Sequence, residues 1–210
     1  MTDRATPRIS TRKEPSQARS AGLVADILQA ATQVLAEEGA QRFTTARVAE
    51  KAGVSVGSLY QYFPNKAAIL FRLQTDEWKD TSALLHGILA DQTMAPLERL
   101  RTAVHAFVRS ECEEAEMRLA LGDAAPFYRD APEAQEPRRS GTRAVQVFMR
   151  EALPEASEAV RGVAGEMIMT TLSAMGKRIS ETPRTAAEIE TYAGAVSDMF
   201  CAYLRGLDLR

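Results

Sequence analysis

The sequence predicts an all-α protein, with an N-terminal three-helix domain that contains a helix-turn-helix and a larger helical domain after it. Apolar residues recur at helical spacings of three and four along most of the 210 residues. No run of alternating β-branched residues bounded by turns is present, so we expect no sheet. Two short helical patterns follow each other across a tight turn at Gly53, which is typical of a helix-turn-helix.

Charge is distributed unevenly along the chain. The formal net charge is -2, but residues 1–75 contain ten Lys and Arg against six Asp and Glu, a balance of +4. The remaining residues contain sixteen Lys and Arg against twenty-two Asp and Glu, a balance of -6. Because a polyanion is attracted to positive charge and repelled by negative charge, only the N-terminal part suits nucleic acid.

Several kinds of site and location lack support. No stretch of about 18 apolar residues could span a bilayer, and the start lacks the apolar segment of a secretory signal. We therefore expect a cytoplasmic protein with no membrane partner. Cys112 and Cys201 match no metal-ligand spacing, and His86 and His105 are too few and scattered for a metal site or catalytic dyad. We expect no metal, no cofactor and no catalytic residue.

The first residues predict an arm and one long helix. Residues 1–19 are basic and contain little apolar content, which indicates a flexible basic arm, with a plain solvated terminus as the alternative. A helical stripe then begins, formed by Leu23, Ile27, Ala30 and Val34. This helix is expected to stop before Gly39.

Two short helices follow. Thr44 and Thr45 supply N-cap hydroxyls for a helix that ends at Gly53. Ser55 caps the next helix almost at once, and Pro64 closes it because the residue before a proline avoids the helical region.

The rest of the chain is predicted as a series of longer helices. Asn65 caps a fourth helix that runs toward Leu89. Further helices are predicted over residues 96–116, 117–122, 133–153, 155–181 and 185–207. The Pro- and charge-rich stretch 126–139 is the best candidate for a long flexible connection.

The segment FTTARVAEKAGVSVGSLYQYFPNKAAIL, from Phe43 to Leu70, resembles the DNA-binding signature of the TetR family of transcriptional regulators. The match includes the paired Thr44 and Thr45, the turn Ala52-Gly53-Val54-Ser55, Gly57, Leu59-Tyr60, Tyr62-Phe63 and Lys66. Beyond about residue 75 only length and helical periodicity support it. The resemblance implies a DNA-binding domain over residues 20–66 and a ligand-binding and dimerisation domain over residues 67–210.

The third predicted helix has the composition of a recognition helix, which presents small or polar side chains to the major groove above apolar anchors. The predicted anchors are Val54, Leu59 and Phe63, and the predicted exposed face carries Ser55, Val56, Gly57, Ser58 and Gln61. Gly57 costs about 1 kcal/mol inside a helix. We favour close approach of the backbone to DNA as the reason for Gly57, the alternative being a tolerated weakness.

The resemblance also implies particular DNA contacts. Phosphate contacts are implied for Thr44 or Thr45, Tyr60, Tyr62 and Lys66, and base contacts for the residues from Ser55 to Ser58. Tyr60 and Tyr62 can each donate a hydroxyl to a phosphate oxygen. Because Leu59 and Phe63 already fill the anchor positions, at least one of these tyrosines is expected to face outward.

Other residues near the motif have chemistry that suits DNA. Lys66 follows Asn65 in the first turn of the fourth helix, where a cation opposes the helix dipole unless an anion is nearby. A solvated surface lysine is the alternative. Arg47 could reach a base edge or a phosphate, Val56 could contact a thymine methyl group, and Gln61 is the one strong base reader of the recognition helix.

By resemblance, the last two long helices form a four-helix interface between two subunits. Apolar residues cover a broad face of each helix, wider than a surface helix needs. These residues are Val160, Val163, Ala164, Met167, Ile168, Leu172 and Met175 on one helix, and Ile189, Tyr192, Ala193, Val196, Met199, Phe200, Tyr203 and Leu204 on the other. The alternative is that both faces belong to the core of one chain.

Flexible thioethers and aromatic rings suit an apolar ligand of variable shape. The candidate effector-binding residues are Trp78, Phe107, Phe127, Tyr128, Met149, Met167, Met169 and Met175, and for each of them core packing is the alternative.

We therefore expect a repressor that binds a near-palindromic, double-stranded operator as a homodimer and is released by a small apolar effector. Repression rests on the resemblance alone. One alternative is a DNA-binding adaptor regulated by a protein partner. An all-helical enzyme would need a nucleophile, a base and an orienting group, or metal ligands, which the sequence does not supply.

Overall fold

The computed structural model describes Ile9, residues 18–127 and residues 137–208, except for the side chains of residues 18–19 and 137–142. These ranges contain helices and no β-strand, which confirms the all-α class. The helices are α1 (Ala18–Arg42), α2 (Thr45–Lys51), α3 (Val56–Tyr62), α4 (Lys66–Ala90), α5 (Pro96–Glu113), α6 (Ala115–Ala124), a 3₁₀ turn (Ala125–Phe127), α7 (Pro137–Ala152), α8 (Glu158–Ser180) and α9 (Ala186–Asp208).

The chain divides into two compact units. The first unit comprises Met1–Trp78 and Glu116–Pro137, and the second comprises Lys79–Ala115 and Arg138–Arg210. Helix α4 therefore contributes its first half to one unit and its second half to the other. The functional boundaries expected after residues 19 and 66 remain predictions.

The core of the first unit brings together α1, α2, α3, the start of α4 and α6. Its largest fully buried side chains include Ile27, Leu35, Phe43, Leu59, Phe63, Ile69, Leu70 and Leu121. Helix α6 is also tied to α4 by an ion pair in which Arg118 Nη2 lies 2.9 Å from Glu77 Oε1. These two side chains are only 15% and 12% exposed, so the pair is shielded from solvent.

The caps predicted at Thr44, Ser55 and Asn65 are confirmed, whereas Thr45, also predicted to supply a cap, is the first residue of α2. Thr44, Ser55 and Asn65 each accept a hydrogen bond from the backbone N–H three residues later, at 3.3, 3.0 and 2.9 Å. Each bond satisfies a backbone donor that the first helical turn leaves without a partner. Gly53, after α2, has a φ of +67°, in the left-handed region that favours glycine.

The beginning of the chain differs from the prediction where it is described. Ala18 and Arg19 belong to α1 rather than to an arm, and Ile9 is 2% exposed in the core of the first unit. Ile9 is buried because it is an apolar side chain in an otherwise polar stretch. The other residues of the predicted arm lie outside the described ranges. Gly39 interrupts α1 with a φ of +74°, but helix resumes as far as Arg42.

Later boundaries also differ by a few residues. Helix α8 begins at Glu158 rather than residue 155, because the Ser157 side chain accepts a hydrogen bond from the backbone N–H of Val160 and caps it there. The predicted connection over 126–139 is helical at both described ends, in the 3₁₀ turn and at the start of α7. Residues 128–136, including the predicted helical positions 133–136, lie outside the described ranges.

The core of the second unit is built around α5, which lies against α8 and α9. A Cβ atom added at Gly176 of α8 would lie 2.6 Å from Phe107 Cε1 of α5, so this glycine permits the close approach of the two helices. Arg101 donates to Asp198 at 2.5 Å, and Glu190 accepts from Arg109 at 2.5 Å and lies 2.8 Å from His105 Nδ1. These polar contacts join α5 to α9 at the surface.

A buried arginine joins three helices of the same unit. Arg99 of α5 is 2% exposed and donates to the carbonyl of Leu89 at 2.7 Å and to Glu151 at 2.5 Å. Its guanidinium lies 5.6 Å from the ring centroid of Phe148. The carboxylate and the ring both offset the cost of burying the charge.

None of the helices in the described ranges is long and apolar enough to cross a membrane.

Candidate nucleic-acid interface

Helix α3 has one buried face and one exposed face. Of the three predicted anchors, Leu59 and Phe63 are both 0% exposed, and Val54 is half-buried against the core of the first unit. Val56 is 40% exposed and Tyr60 is 39% exposed, and Gly57 and Gln61 are also on the surface. Helix α3 is therefore anchored in the core by its buried face, and the residues near its first turn form a continuous exposed surface.

The surroundings of Gly57 place no internal limit on its size. A Cβ atom added there would have Ser55 Oγ as its nearest neighbour, at 3.7 Å, which is ordinary van der Waals contact. Its φ is not positive either, so the backbone does not require glycine. Because alanine is about 1 kcal/mol more favourable than glycine in a helix, the fold itself gives no reason for glycine at this position.

Hydroxyl groups are paired along the junction of α2 and α3. Thr45 Oγ1 lies 3.2 Å from Tyr60 Oη, and both groups are at the surface. Ser55 Oγ lies 2.8 Å from Ser58 Oγ at the start of α3. In each pair one hydroxyl donates to the other, so the hydroxyl that accepts keeps its own O–H donor for a phosphate oxygen.

The structure separates the two tyrosines of α3. Tyr60 faces outward, as at least one of the two was expected to do. Tyr62 is only 6% exposed and belongs to the core of the first unit, so its side chain does not join the exposed face. The reason is its position three residues after Leu59, which places both side chains on the same face of the helix.

Two cations of α2 have carboxylate partners at the end of α1. Arg47 forms an ion pair with Glu38, and its Nη1 also donates to the carbonyl of Arg42 at 3.4 Å. Lys51 Nζ lies 2.9 Å from Glu37 Oε1. These acidic residues were not predicted as part of the site, although their position just before Gly39 and the four-residue spacing of Arg47 and Lys51 are signals of the pairing. In the chain without DNA, Arg47 is thus held toward α1.

Lys66 lies at the start of α4, directly after the cap residue Asn65. Its Nζ is 4.1 Å from the ring centroid of Phe127, within the range of a cation–π interaction. Phe127, predicted as an effector-binding residue, therefore contacts a predicted DNA-binding residue within the first unit.

The remaining effector candidates do not share one site. Met149 is 1% exposed and lines a cavity in the second unit, whereas Phe107 and Met175 pack in the core of that unit. Met167 and Met169 of α8 are 53% and 37% exposed, although Met169 also borders the cavity. Trp78 is half-buried in the first unit, and Tyr128 lies outside the described ranges.

The cavity in the second unit has a volume of about 30 Å³. It is lined only by apolar side chains from α4, α5, α7 and α8, among them Leu89, Val104, Met149 and Ile168. This space is enough for a water molecule, but ligand pockets usually measure about 300 to 1,000 Å³. A drug-sized molecule would have to separate the surrounding helices.

Helices α8 and α9 each carry apolar residues that the chain does not bury. The large exposed ones are Val160, Val163, Met167 and Met169 on α8 and Tyr192, Met199 and Tyr203 on α9, all between 37% and 58% exposed. The other residues of each predicted apolar face, such as Ile168 and Phe200, pack in the core of the second unit. The apolar residues of each helix therefore form one side that is buried in the core and one side that is exposed.

In the part of the chain that is described, no group of three or more His, Cys, Asp and Glu side chains is arranged to hold a metal ion.

An exposed short helix, anchored from below and preceded by a second short helix across a tight turn, defines a helix-turn-helix DNA-binding protein. Residues 27–73 match the family model described as bacterial regulatory proteins, tetR family, and residues 95–207 match that described as Tetracyclin repressor-like, C-terminal domain. The chain belongs to the TetR family and is a transcriptional regulator of that family.

Several curated relatives are named nucleoid occlusion factor SlmA. The chain is 36% identical over 104 residues to the nucleoid occlusion factor SlmA of Vibrio campbellii, which covers 49% of this chain and 53% of the relative. It is 32% identical over 149 residues to SlmA of Aliivibrio fischeri, which covers 70% of this chain and 65% of the relative. The chain therefore spans between about half and two thirds of the length of these relatives.

Solved structures share the fold at low sequence identity. The fatty acid degradation regulator FadR of Bacillus halodurans is 18% identical with a TM-score of 0.67, over 89% of this chain and 96% of that one. FadR of Bacillus subtilis, solved in complex with stearoyl-CoA, is 16% identical with a TM-score of 0.63, over 84% and 96%.

Proposed function

We propose that this protein is a repressor that binds a near-palindromic operator as a homodimer, with α3 as the recognition helix. The observation that carries this proposal is the division of α3 into the buried anchors Leu59 and Phe63 and the exposed face around Val56 and Gly57. A rigid, outward-facing helix can enter the major groove without rearrangement of the unit that holds it.

Base recognition is assigned to the first turns of α3. Gly57 lets the backbone approach the bases, and its open surroundings support this role because no neighbouring atom excludes a larger residue. Val56 is placed to contact a thymine methyl group, and Gln61 can form a bidentate pair with adenine. Ser55 and Ser58 complete the surface, and Arg47 can contribute only after it leaves Glu38.

Phosphate contacts are assigned to groups on both sides of α3. The hydroxyls of Thr45 and Tyr60 are already held together and can bind the same stretch of backbone. Thr44 lies at the N-terminus of α2, and Lys66 lies beside Asn65 at the N-terminus of α4, where free N–H groups favour an anion. Such contacts set the position on the duplex rather than the sequence that is read.

The proposed dimer interface is the exposed apolar side of α8 and α9. Unburied side chains such as Val163, Met167 and Met199 gain by contact with a second copy, since each buried CH₂ group contributes about 0.8 kcal/mol. In the dimer, two recognition helices about 34 to 36 Å apart would occupy successive major grooves on one side of the duplex.

The proposed effector is a small apolar molecule that enters the cavity beside Met149. The wholly apolar lining supports this class of ligand. Binding must favour a state of the dimer with lower DNA affinity, and couplings of about 1 to 3 kcal/mol change affinity roughly 5- to 150-fold.

Regulation by a protein partner is the second candidate. It is favoured by the small volume of the cavity, about 30 Å³, which holds no drug-sized ligand without expansion. The name of the relatives, nucleoid occlusion factor, also specifies no small molecule. In either case we assign the protein no catalytic activity, metal or cofactor and place it in the cytoplasm without a membrane partner.

Selection of duplexes from a random-sequence library by the full-length protein tests the DNA-binding proposal. We expect enrichment of a near-palindrome whose half-sites are about 10 base pairs apart or a multiple of that spacing. Enrichment of no sequence, or of single half-sites only, would contradict it.

Thermal unfolding with benzene, a small apolar molecule, as the probe separates the two effector candidates. A ligand of the cavity raises the unfolding temperature by mass action and weakens binding to the selected operator. Ala103→Leu, which fills the cavity wall, should remove both effects, whereas Leu119→Ala at an exposed site on α6 should retain them. No shift with this probe, together with an operator affinity that changes when a partner protein is added, would favour the adaptor.

A further inference from the structure

The contact between Lys66 and Phe127 joins two parts of the first unit that are far apart in sequence. Lys66 is the first residue of α4 and follows the anchor residue Phe63 by three positions. Phe127 is the last residue of the 3₁₀ turn that follows α6. The Lys66 Nζ lies 4.1 Å from the ring centroid, so the ammonium sits close to the ring face.

The ring is a fixed platform rather than a loose side chain. Phe127 is partly buried and packs against the core of the first unit, as do Met117 and Ala120 of α6. The shielded ion pair between Arg118 and Glu77, at 2.9 Å, ties α6 to α4 independently of that packing. The position of the Phe127 ring relative to the start of α4 is therefore set by two separate contacts.

The Phe127 ring also offsets an unfavourable electrostatic interaction of Lys66. A cation in the first turn of a helix is opposed by the positive end of the helix dipole. The negative face of an aromatic ring attracts an ammonium and offsets that repulsion. A ring contact occupies one side of the ammonium, and a lysine has three N–H donors, so donors remain for an anion on the other side.

We infer that Phe127 is a positioning residue for DNA binding, which holds the Lys66 ammonium in place for a phosphate of the duplex. This inference rests on the proposed phosphate contact of Lys66. A lysine loses much rotamer freedom when it is fixed against one phosphate. Because Phe127 fixes the ammonium before DNA arrives, less of that freedom remains to be lost on binding.

The experiment measures the affinity of the full-length protein for a fluorescein-labelled, 24-base-pair duplex of mixed sequence over a range of salt concentrations. A phosphate contact operates on any sequence, so no operator is needed. Phe127→Leu keeps an apolar side chain but removes the ring. It should lower the affinity for the duplex by a factor of about two to five for each protomer that binds. Phe127→Tyr keeps the ring face and should bind like the wild type.

Phe71→Leu is the matched control for loss of a ring. Phe71 packs against the same core but belongs to the second turn of α4, away from the Lys66 contact. It should lower the unfolding temperature as Phe127→Leu does while leaving DNA affinity unchanged. Equal losses of affinity in the two variants would overturn the inference, because the effect would then be one of general stability.

Combination with Lys66→Gln separates this inference from the proposed function. Lys66→Gln should weaken binding and reduce the slope of log affinity against log salt by about 1 for each protomer in the complex, and Phe127→Leu should then have no further effect. Wild-type binding by Lys66→Gln would contradict the phosphate contact itself. A loss in Lys66→Gln with unchanged or tighter binding by Phe127→Leu would overturn only the positioning role.

Discussion

Gly57 in the first unit and Gly176 in the second both lie inside helices, where alanine is usually more favourable than glycine. Their surroundings differ, because Gly57 faces open space and Gly176 is closely packed. A Cβ atom at Gly57 would meet nothing closer than 3.7 Å, and the residue is exposed. A Cβ atom at Gly176 would lie 2.6 Å from Phe107 and 2.9 Å from Glu111 Cγ. The second glycine is explained by packing within the chain, and the first is assigned in our proposal to close approach of the backbone to DNA.

The same contrast extends to other residues of the two units. Around α3, exposed residues such as Val56 and Tyr60 lie over a complete core and are available to DNA. Around α5, most apolar residues are used for internal packing. One exception is the exposed apolar side of α8 and α9, to which we assign the dimer interface.

The largest effect is expected at the exposed apolar side of α8 and α9. Met199→Glu places a carboxylate among exposed apolar residues of α9, and burial of a charge without a partner costs several kcal/mol. We expect the dimer dissociation constant, measured by analytical ultracentrifugation, to rise by at least about 100-fold. Leu119→Glu, at a residue of α6 that is 66% exposed, is the control and should remain dimeric. Dimerisation of Met199→Glu at wild-type strength would place the interface elsewhere.

A smaller effect is expected for Gly176→Ala. The added methyl group overlaps the Phe107 ring, and overpacking of this kind destabilises by about 1 to 3 kcal/mol. Gly162→Ala on the same helix has no atom within 4 Å of the new Cβ and should instead stabilise by about 0.5 to 1 kcal/mol. Urea unfolding measures both. Equal stabilisation by the two substitutions would remove the contrast between Gly57 and Gly176.

The smallest effect concerns the surface contacts between α5 and α9. Hydrogen bonds from Arg109 and then His105 hold the pKa of Glu190 below its usual value near 4.5. A carboxylate with a lowered folded-state pKa stabilises the fold above its unfolded pKa, and this stabilisation is lost as pH falls through the folded pKa. Glu190→Gln should therefore lower the urea midpoint at pH 7, and this difference from the wild type should be smaller at pH 3.

The control for this pH effect is Glu166→Gln at an exposed position of α8, which should change neither midpoint. A difference between wild type and Glu190→Gln that is equally large at both pH values would show that the carboxylate charge is not its cause.

Local signals in the sequence were sufficient for most of the helices. The caps at Thr44, Ser55 and Asn65 follow from side chains that bond to the backbone three residues later, and this depends on no distant residue. The anchors Leu59 and Phe63 follow from spacing within one helix. The break of α1 at Gly39 was predicted as an end, because a left-handed residue usually terminates a helix and only the following residues decide whether it resumes.

Features that depend on contacts between distant segments were not predictable in the same way. The pairing of Arg47 with Glu38 and of Lys66 with Phe127 requires the positions of other helices. The candidate effector residues were chosen by side-chain type alone, so they are distributed over both units. Tyr62 is a different case, since its spacing from Leu59 already indicated the buried face.

Gly57→Leu tests the central claim, that α3 faces DNA, most directly. We expect urea unfolding to show a free energy of unfolding that is higher by about 0.5 to 1 kcal/mol. Leucine lacks the unfavourable helix propensity of glycine, and its side chain would enter open space. The affinity for the selected operator should nevertheless fall by at least about tenfold, a loss of roughly 1.4 kcal/mol, because the side chain blocks approach to the groove. Operator affinity equal to that of the wild type, in a protein that is equally folded and dimeric, would contradict the assignment of α3 as the recognition helix.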